Sequence, residues 1–303
     1  MTKTSPTIIF FGNERLSTAF DPHGAPTLEA LIAHDYQVAA VVSNYEPARS
    51  RKSRALEIEA VAQKHNIPLL LPSKLSEITE TLKSYHAECG VLVAYGKIIP
   101  QSIIDIFPKG IVNIHPSMLP HYRGSIPIEQ AMLDGASATG VSLMKLVKEM
   151  DAGPLFAQVP VTIEPQESKQ ALTERLLSIG GELLIAHLPA ILDGSLSATP
   201  QDESKATYTK LLTKDDGRVD LAQTAEQIER QIRAYAGWPK STVELSGQHI
   251  IIKKARISAT AEDGALVIAC GQGTFLEILE LTAPSGRTMN GSDFIRGYLR
   301  EPV

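Results

Sequence analysis

Asn113 and His115 stand two residues apart at the end of the apolar run GIVNIHPS (110–117), and Asp151 follows His115 by 36 residues in the loop KEMDAGPL. A carboxamide, an imidazole and a carboxylate are residue types of hydrogen-bond and proton-transfer chemistry. In a strand, alternate side chains share a face. Asn113 and His115 therefore project together at the carboxyl edge of a sheet, the usual ligand crevice of open α/β folds. Pro116 and Pro120 stiffen the loop that follows. The loop around Gly153 offers a way to bring Asp151 to the same crevice. These three residues by themselves indicate an α/β enzyme with a possible Asn/His/Asp site. His115 and His121 have no cysteines near them in sequence, and no metal is expected.

The elements that must position this set are legible as alternating runs. TIIFFG (7–12), YQVAAVVS (36–43), IPLLLP, CGVLVAYG (89–96) and GIVNIHPS read as buried strands. Helical patterns separate them: from Pro26 to His34, ALEIEAVAQKHN (55–66), KLSEITETLKSYHA and PQSIIDIF. Such alternation predicts βαβ units and a mostly parallel sheet covered on both faces. After residue 139 the rhythm changes. TGVSLMKLV and FAQVPVTI read as two strands around the Asp151 loop, and ESKQALTERLLSIGGELLIAHLPAILDG as one long helix or a broken pair.

The polar stretch SLSATPQDESKAT (195–207) is the expected linker, dividing a catalytic domain (1–194) from a C-terminal domain (208–303). Past it, helical AEQIERQIRAYAG precedes STVELS, HIIIKKARIS, GALVIACG and TFLEILEL, which predict a small β-barrel or sandwich.

At 303 residues, 43% hydrophobic and 21% charged, the chain has the composition of a soluble globular protein. A net charge of -5 argues against a general nucleic-acid coat. Residues 206–303 hold 12 Lys/Arg and 12 Asp/Glu, so the acidity lies in the N-terminal part. The clearest local basic cluster is Arg49, Arg51, Lys52 and Arg54; Lys210, Lys214, Lys253, Lys254 and Arg256 are a more diffuse set. No uninterrupted apolar run approaches the roughly 18 residues that span a bilayer, and a cytoplasmic protein is expected. Cys89 and Cys270 read as buried free thiols rather than a disulfide.

The run NIHPSMLPHYRG, followed by D-A-G at Asp151, resembles the folate-dependent formyltransferases. VLVAYGKIIP (91–100) resembles the loop that in that family lies along the pteridine ring. KATYTKLLTKDDGRVDL, QIERQIRAYAGWPKSTVEL and TAPSGRTMNGSDFIRGYL resemble the appended domain of the branch that formylates methionyl-tRNA. The likeness covers essentially the whole chain.

It implies a Rossmann-like domain followed by a smaller OB-like β-barrel, 10-formyltetrahydrofolate as co-substrate, and the α-amine of methionine on initiator tRNA as acceptor. It further implies Asn113, His115 and Asp151 as catalytic residues. Ser117, Met118, Leu119, Pro120, Tyr95 and Gly96 become folate contacts, and Arg49, Arg51, Lys52 and Arg54 contacts to the acceptor arm. A monomer is expected, and a sugar-nucleotide N-formyltransferase is the rival reading. Three segments depart from the family pattern: the longer loop GNERLSTAFDPHG after the first strand, His121 where the family often has Arg, and AGWP (236–239) in place of Asn-Pro-Trp-Pro.

Overall fold

The computed structural model describes residues 6–20, 23–44, 57–260 and 264–299. The chain divides into two compact units. The first comprises Met1–Pro127, Ala138–Ile163 and Gln170–Lys210, and the second Ile128–Ser137, Glu164–Lys169 and Leu211–Val303.

The first unit is built on a seven-stranded sheet: β1 (Thr7–Gly12), β2 (Gln37–Val42), β3 (Leu69–Leu70), β4 (Cys89–Val93), β5 (Ile111–His115), β6 (Ala138–Lys145) and β7 (Leu155–Thr162). Their order in the sheet is β3-β2-β1-β4-β5-β6-β7. The first five strands are parallel, and β6 and β7 join antiparallel. Strand order reverses between β1 and β4, which makes the carboxyl ends of these two strands a topological switch point. β1 and β4 approach so closely that a Cβ on Gly12 (φ +135°) would lie 1.8 Å from the Val93 carbonyl oxygen.

Helices cover both faces, as the unbroken burial of β4 and β5 requires. On one face, α3 (Thr79–Ser84) and α4 (Gln101–Ile104) pack Leu82, Ile103 and Ile104 into a cluster with Ile9, Phe11, Leu92 and Ile111. Phe11 sits edge-on to both Tyr95 and Phe107, with ring centroids 6.1 and 5.8 Å away. On the other face lies α6 (Lys169–Asp193), where an added Cβ on Gly180 would fall 2.6 Å from Ile114 Cγ2.

The stretch expected as one helix or a broken pair is the single helix α6, with Pro189 inside it. α6 is long and apolar enough to cross a membrane by length and composition. It instead buries Leu172, Leu176, Leu184 and Leu188 completely, at helical spacing, in the protein core. Cys89 and Cys270 are free and buried; burial pushes the Cys89 thiol up to about 12, so it is inert near neutrality.

Within the stretch 195–207 Thr199 pairs with Leu155, and just after it Tyr208 pairs with Arg123, both within the first unit.

The second unit carries an antiparallel sheet of β8 (Ser241–Leu245), β9 (Gln248–Ser258), β10 (Val267–Ala269), β11 (Phe275–Thr282) and β12 (Thr288–Asn290). Its order is β10-β11-β9-β8, with β12 beside β11. The expected barrel is thus a curled half-barrel: among the described residues β8 and β10 do not pair. α7 (Ala225–Ala234) opens on a capping box between Thr224 and Gln227 and buries Ile228 and Ile232 against Ile250, Leu276 and Phe294.

Candidate active site

A cavity of about 390 Å³ opens at the switch point of the first unit. It is lined by the segments that leave the carboxyl ends of β1, β4 and β5, together with the loop between β6 and β7. Asn113, His115, Asp151, Tyr95 and Gly96 all contribute to its wall. Residues from two stretches of chain, 36 positions apart, thus meet in one crevice.

Asn113 and His115 are each 5% exposed, and their strand register gives them a common face. No hydrogen bond to the Asn113 carboxamide is present among the described residues, so its N–H groups are available to a ligand. The His115 ring is held from two sides. Its Nε2 lies 3.2 Å from the Tyr122 carbonyl oxygen, which requires the proton on Nε2 in that contact. Its Nδ1 faces Asp151 Oδ2 at 3.8 Å. That is too long for a hydrogen bond but within electrostatic reach.

The Asp151 carboxylate is aimed by the backbone. The Gly124 N–H donates to Asp151 Oδ2 at 2.7 Å. Asp151 itself adopts φ 49°, the left-handed region that side chains disfavour. Two residues on, a Cβ at Gly153 would lie 1.8 Å from the Lys145 carbonyl oxygen. The β6–β7 connection can therefore turn tightly only with glycine there.

Tyr95 packs its ring edge-on to Phe11 and is among the residues that border the cavity, and its carbonyl accepts from Asn44 Nδ2. Burial raises the Tyr95 phenol above its ordinary value. Apolar walls come from Leu92, Ile99, Leu146 and Val147, with exposed Ile98 and Met150 nearer the mouth. Apolar walls with a few convergent polar groups are the usual make-up of a small-molecule site.

Ser117, Met118, Leu119 and Pro120 do not line this cavity. Ser117 and Leu119 are buried. Ser117 Oγ donates to the His121 carbonyl at 2.7 Å, and the Ser142 hydroxyl bridges the Ser117 carbonyl and the Leu119 N–H. Gln158 Nε2 donates to the Leu119 carbonyl at 2.8 Å. Met118 lies against Gly140. Arg49, Arg51, Lys52 and Arg54 lie outside the described residues. In the second unit, Lys253 pairs with Glu280 at 2.7 Å and Arg256 with Glu277 at 2.5 Å, so β11 carboxylates offset part of the basic set on β9. Among the described residues no cluster of three or more His, Cys, Asp or Glu side chains could hold a metal ion.

Residues that composition did not single out complete the site. Arg15 and Leu16, from the loop after β1, join its wall. That loop is tied down by Glu14, whose oxygens accept the N–H groups of Thr27 and Leu28 at 2.9 and 3.0 Å. Ala25 occupies the N-cap position of α1 (Pro26–Ala33) and has no side-chain oxygen, so Glu14 supplies the cap from a distance. Burial raises the Glu14 carboxyl to about 7, against the lowering effect of those backbone bonds. The one sequence signal for it was an acidic residue near the start of the atypical loop GNERLSTAFDPHG.

A formyl transferase family model matches residues 22–188, and a model of the formyl transferase C-terminal domain matches residues 211–299. Methionyl-tRNA formyltransferase of Chloroflexus aurantiacus is 38% identical over 305 residues, covering 96% of both chains. That of Lactobacillus acidophilus is 33% identical, covering 96% of this chain and 95% of its own. In fold, the chain is similar to WlaRD, a sugar 3N-formyl transferase, with a TM-score of 0.67 at 16% identity over 90% of this chain and 97% of that one. It is also similar to HypX from Aquifex aeolicus in complex with tetrahydrofolic acid, with a TM-score of 0.66 at 14% identity over 99% of this chain and 49% of that one.

Proposed function

The chain belongs to the formyl transferase family, and on that premise we propose that it moves a formyl group from 10-formyltetrahydrofolate to the α-amine of methionine carried by initiator tRNA. The observation that carries this reading is the convergence of Asn113, His115 and Asp151 on one crevice with apolar walls.

When bound, the folate supplies the formyl carbon. The α-amine of an aminoacyl ester needs little activation, since a free α-amine has a pKa of about 7.7–8.0 and a useful neutral fraction at neutral pH. Positioning and charge stabilisation then dominate. The Asn113 amide donates to the formyl oxygen as negative charge builds there. Transfer forms one C–N bond at the amine and breaks one at the folate nitrogen, and a proton must pass from the first nitrogen to the second. Asp151, with His115 3.8 Å from its carboxylate, carries that proton. With His115 Nε2 turned to the Tyr122 carbonyl, the imidazole acts through Nδ1 and Asp151 rather than as a second oxyanion donor.

Tyr95 and Gly96 border the folate. Ser117 to Pro120 follow His115 in the chain and are pinned by Ser142 and Gln158 outside the cavity wall. Arg49, Arg51, Lys52 and Arg54 contact acceptor-arm phosphates. The protein acts as a cytoplasmic monomer. One assay tests the reading: 10-formyltetrahydrofolate with Met-tRNA, with an amino-sugar nucleotide, or with no acceptor. Formyl transfer only to Met-tRNA is expected. Preferential transfer to the sugar, or hydrolysis as fast without acceptor, overturns it.

A further inference from the structure

We infer that Gln201 is a positioning residue for Asp151, locked in its orientation by the buried guanidinium of Arg123; the inference rests on the formyl-transfer reading above.

Arg123 is fully buried. Its Nη1 and Nη2 donate to the two Glu203 carboxylate oxygens at 2.9 and 2.7 Å. Its Nε and Nη2 also donate to Gln201 Oε1 at 3.2 and 2.9 Å. A guanidinium has only donors, so the amide oxygen of Gln201 must face it. The Gln201 NH2 group is thereby turned to the other side. There it donates to the Asp151 carbonyl at 2.8 Å and to the Gly153 carbonyl at 2.7 Å. These two carbonyls bracket the tight turn that carries the catalytic carboxylate, and Asp151 sits in it at φ 49°. A conformation that a side-chain-bearing residue disfavours persists only where its surroundings over-determine it. Gln201 is the side chain that holds this one.

The same stretch of chain secures the opposite side of the site. Thr207 accepts from the Arg123 N–H at 2.8 Å through its carbonyl and from the Tyr122 N–H at 2.8 Å through Oγ1. The Thr209 N–H returns to the Arg123 carbonyl at 2.7 Å. Tyr122 supplies the carbonyl facing His115 Nε2, and Gly124 the N–H that aims Asp151 Oδ2. Residues 201–209 thus set both members of the His/Asp pair from behind without lining the cavity.

The test is a double-mutant cycle in single-turnover formylation of Met-tRNA. Gln201→Glu keeps the size of the side chain and its attraction to Arg123, but turns an acceptor oxygen onto the two carbonyls. The expected result is a kcat about 10–100-fold lower, the scale of a small misplacement of a catalytic group, with KM for donor and acceptor within about threefold. In an Asp151→Asn background the same change is expected to add less than twofold, because Gln201 acts only through that carboxylate. Gln201→Met repeats the comparison if the glutamate variant does not fold. Wild-type kcat in the single variant, an equal loss in both backgrounds, or a loss confined to KM overturns the inference. A wild-type chain that formylates no Met-tRNA sinks the functional reading itself, a distinct result.

Discussion

His115 Nδ1 and Asp151 Oδ2 stand 3.8 Å apart, with the carboxylate oxygen already engaged by the Gly124 N–H at 2.7 Å. The imidazole is turned the other way by the Tyr122 carbonyl. Both groups are thus anchored to the same loop, on either side of Arg123. A small movement of that loop alters the pair's separation, and with it the electrostatic coupling that proton transfer depends on.

Removing any one of the three polar groups is expected to disable turnover while the protein stays folded. Asn113→Ala should lower kcat by about 10²–10³, the scale of one oxyanion donor. Asp151→Asn and His115→Ala should each lower it by roughly 10²–10⁴, the scale of general acid–base help. Single-turnover rates checked against unchanged thermal unfolding measure this. Near-normal activity in a variant removes that residue from the scheme.

Gly153→Ala is expected to lose activity and stability together. Its new methyl would meet the Lys145 carbonyl oxygen at 1.8 Å, and backbone on both sides must shift. Overpacking of this kind costs about 1–3 kcal/mol. The measurement is denaturant unfolding alongside kcat. A variant with wild-type values in both means the turn tolerates a side chain.

Glu14 makes stability depend on pH near neutrality. Its folded carboxyl titrates at about 7 against an ordinary 4.5, chiefly because it is buried. Between those values the folded state binds more protons than the unfolded one. Stability is then fully present below the ordinary pKa and declines as pH rises through about 7. Glu14→Gln removes that slope. Between pH 5.5 and 8.5 the melting temperature of the variant should gain roughly 2–4 °C on the wild type. Parallel pH profiles of the two proteins contradict the assignment.

Replacing Arg49, Arg51, Lys52 and Arg54 together with alanine is expected to raise KM for tRNA about tenfold or more and to flatten its salt dependence, leaving KM for the folate unchanged. Lys253→Ala and Arg256→Ala should matter less, since both cations are paired with β11 glutamates. Titration of tRNA binding against salt checks both statements. An unaltered salt slope in the loop variant rules out phosphate contact there.

Much of the catalytic unit can be read from the chain alone because its determinants are local. The apolar runs of β1, β2, β4 and β5 and the helical patterns between them specify a parallel sheet. The two-residue spacing of Asn113 and His115 specifies a shared face at a strand end. Asp151 sits two residues before a glycine that the turn physically requires. What the sequence could not convey is the identity of partners far apart in the chain. Arg123 and Gln201 are 78 positions apart and Gln201 and Asp151 50. Such pairings leave no periodic trace. The polar stretch around Gln201 accordingly has the composition of a linker, yet its side chains hold the turn that carries the carboxylate. Glu14 is similar: a carboxylate capping a helix 13 residues away has no fixed spacing to betray it. Local hydrophobic pattern decides which elements form and which residues reach the sheet edge. Only the folded chain decides which buried hydrogen bonds orient them, because an isolated donor can be satisfied by any acceptor that the topology happens to bring near.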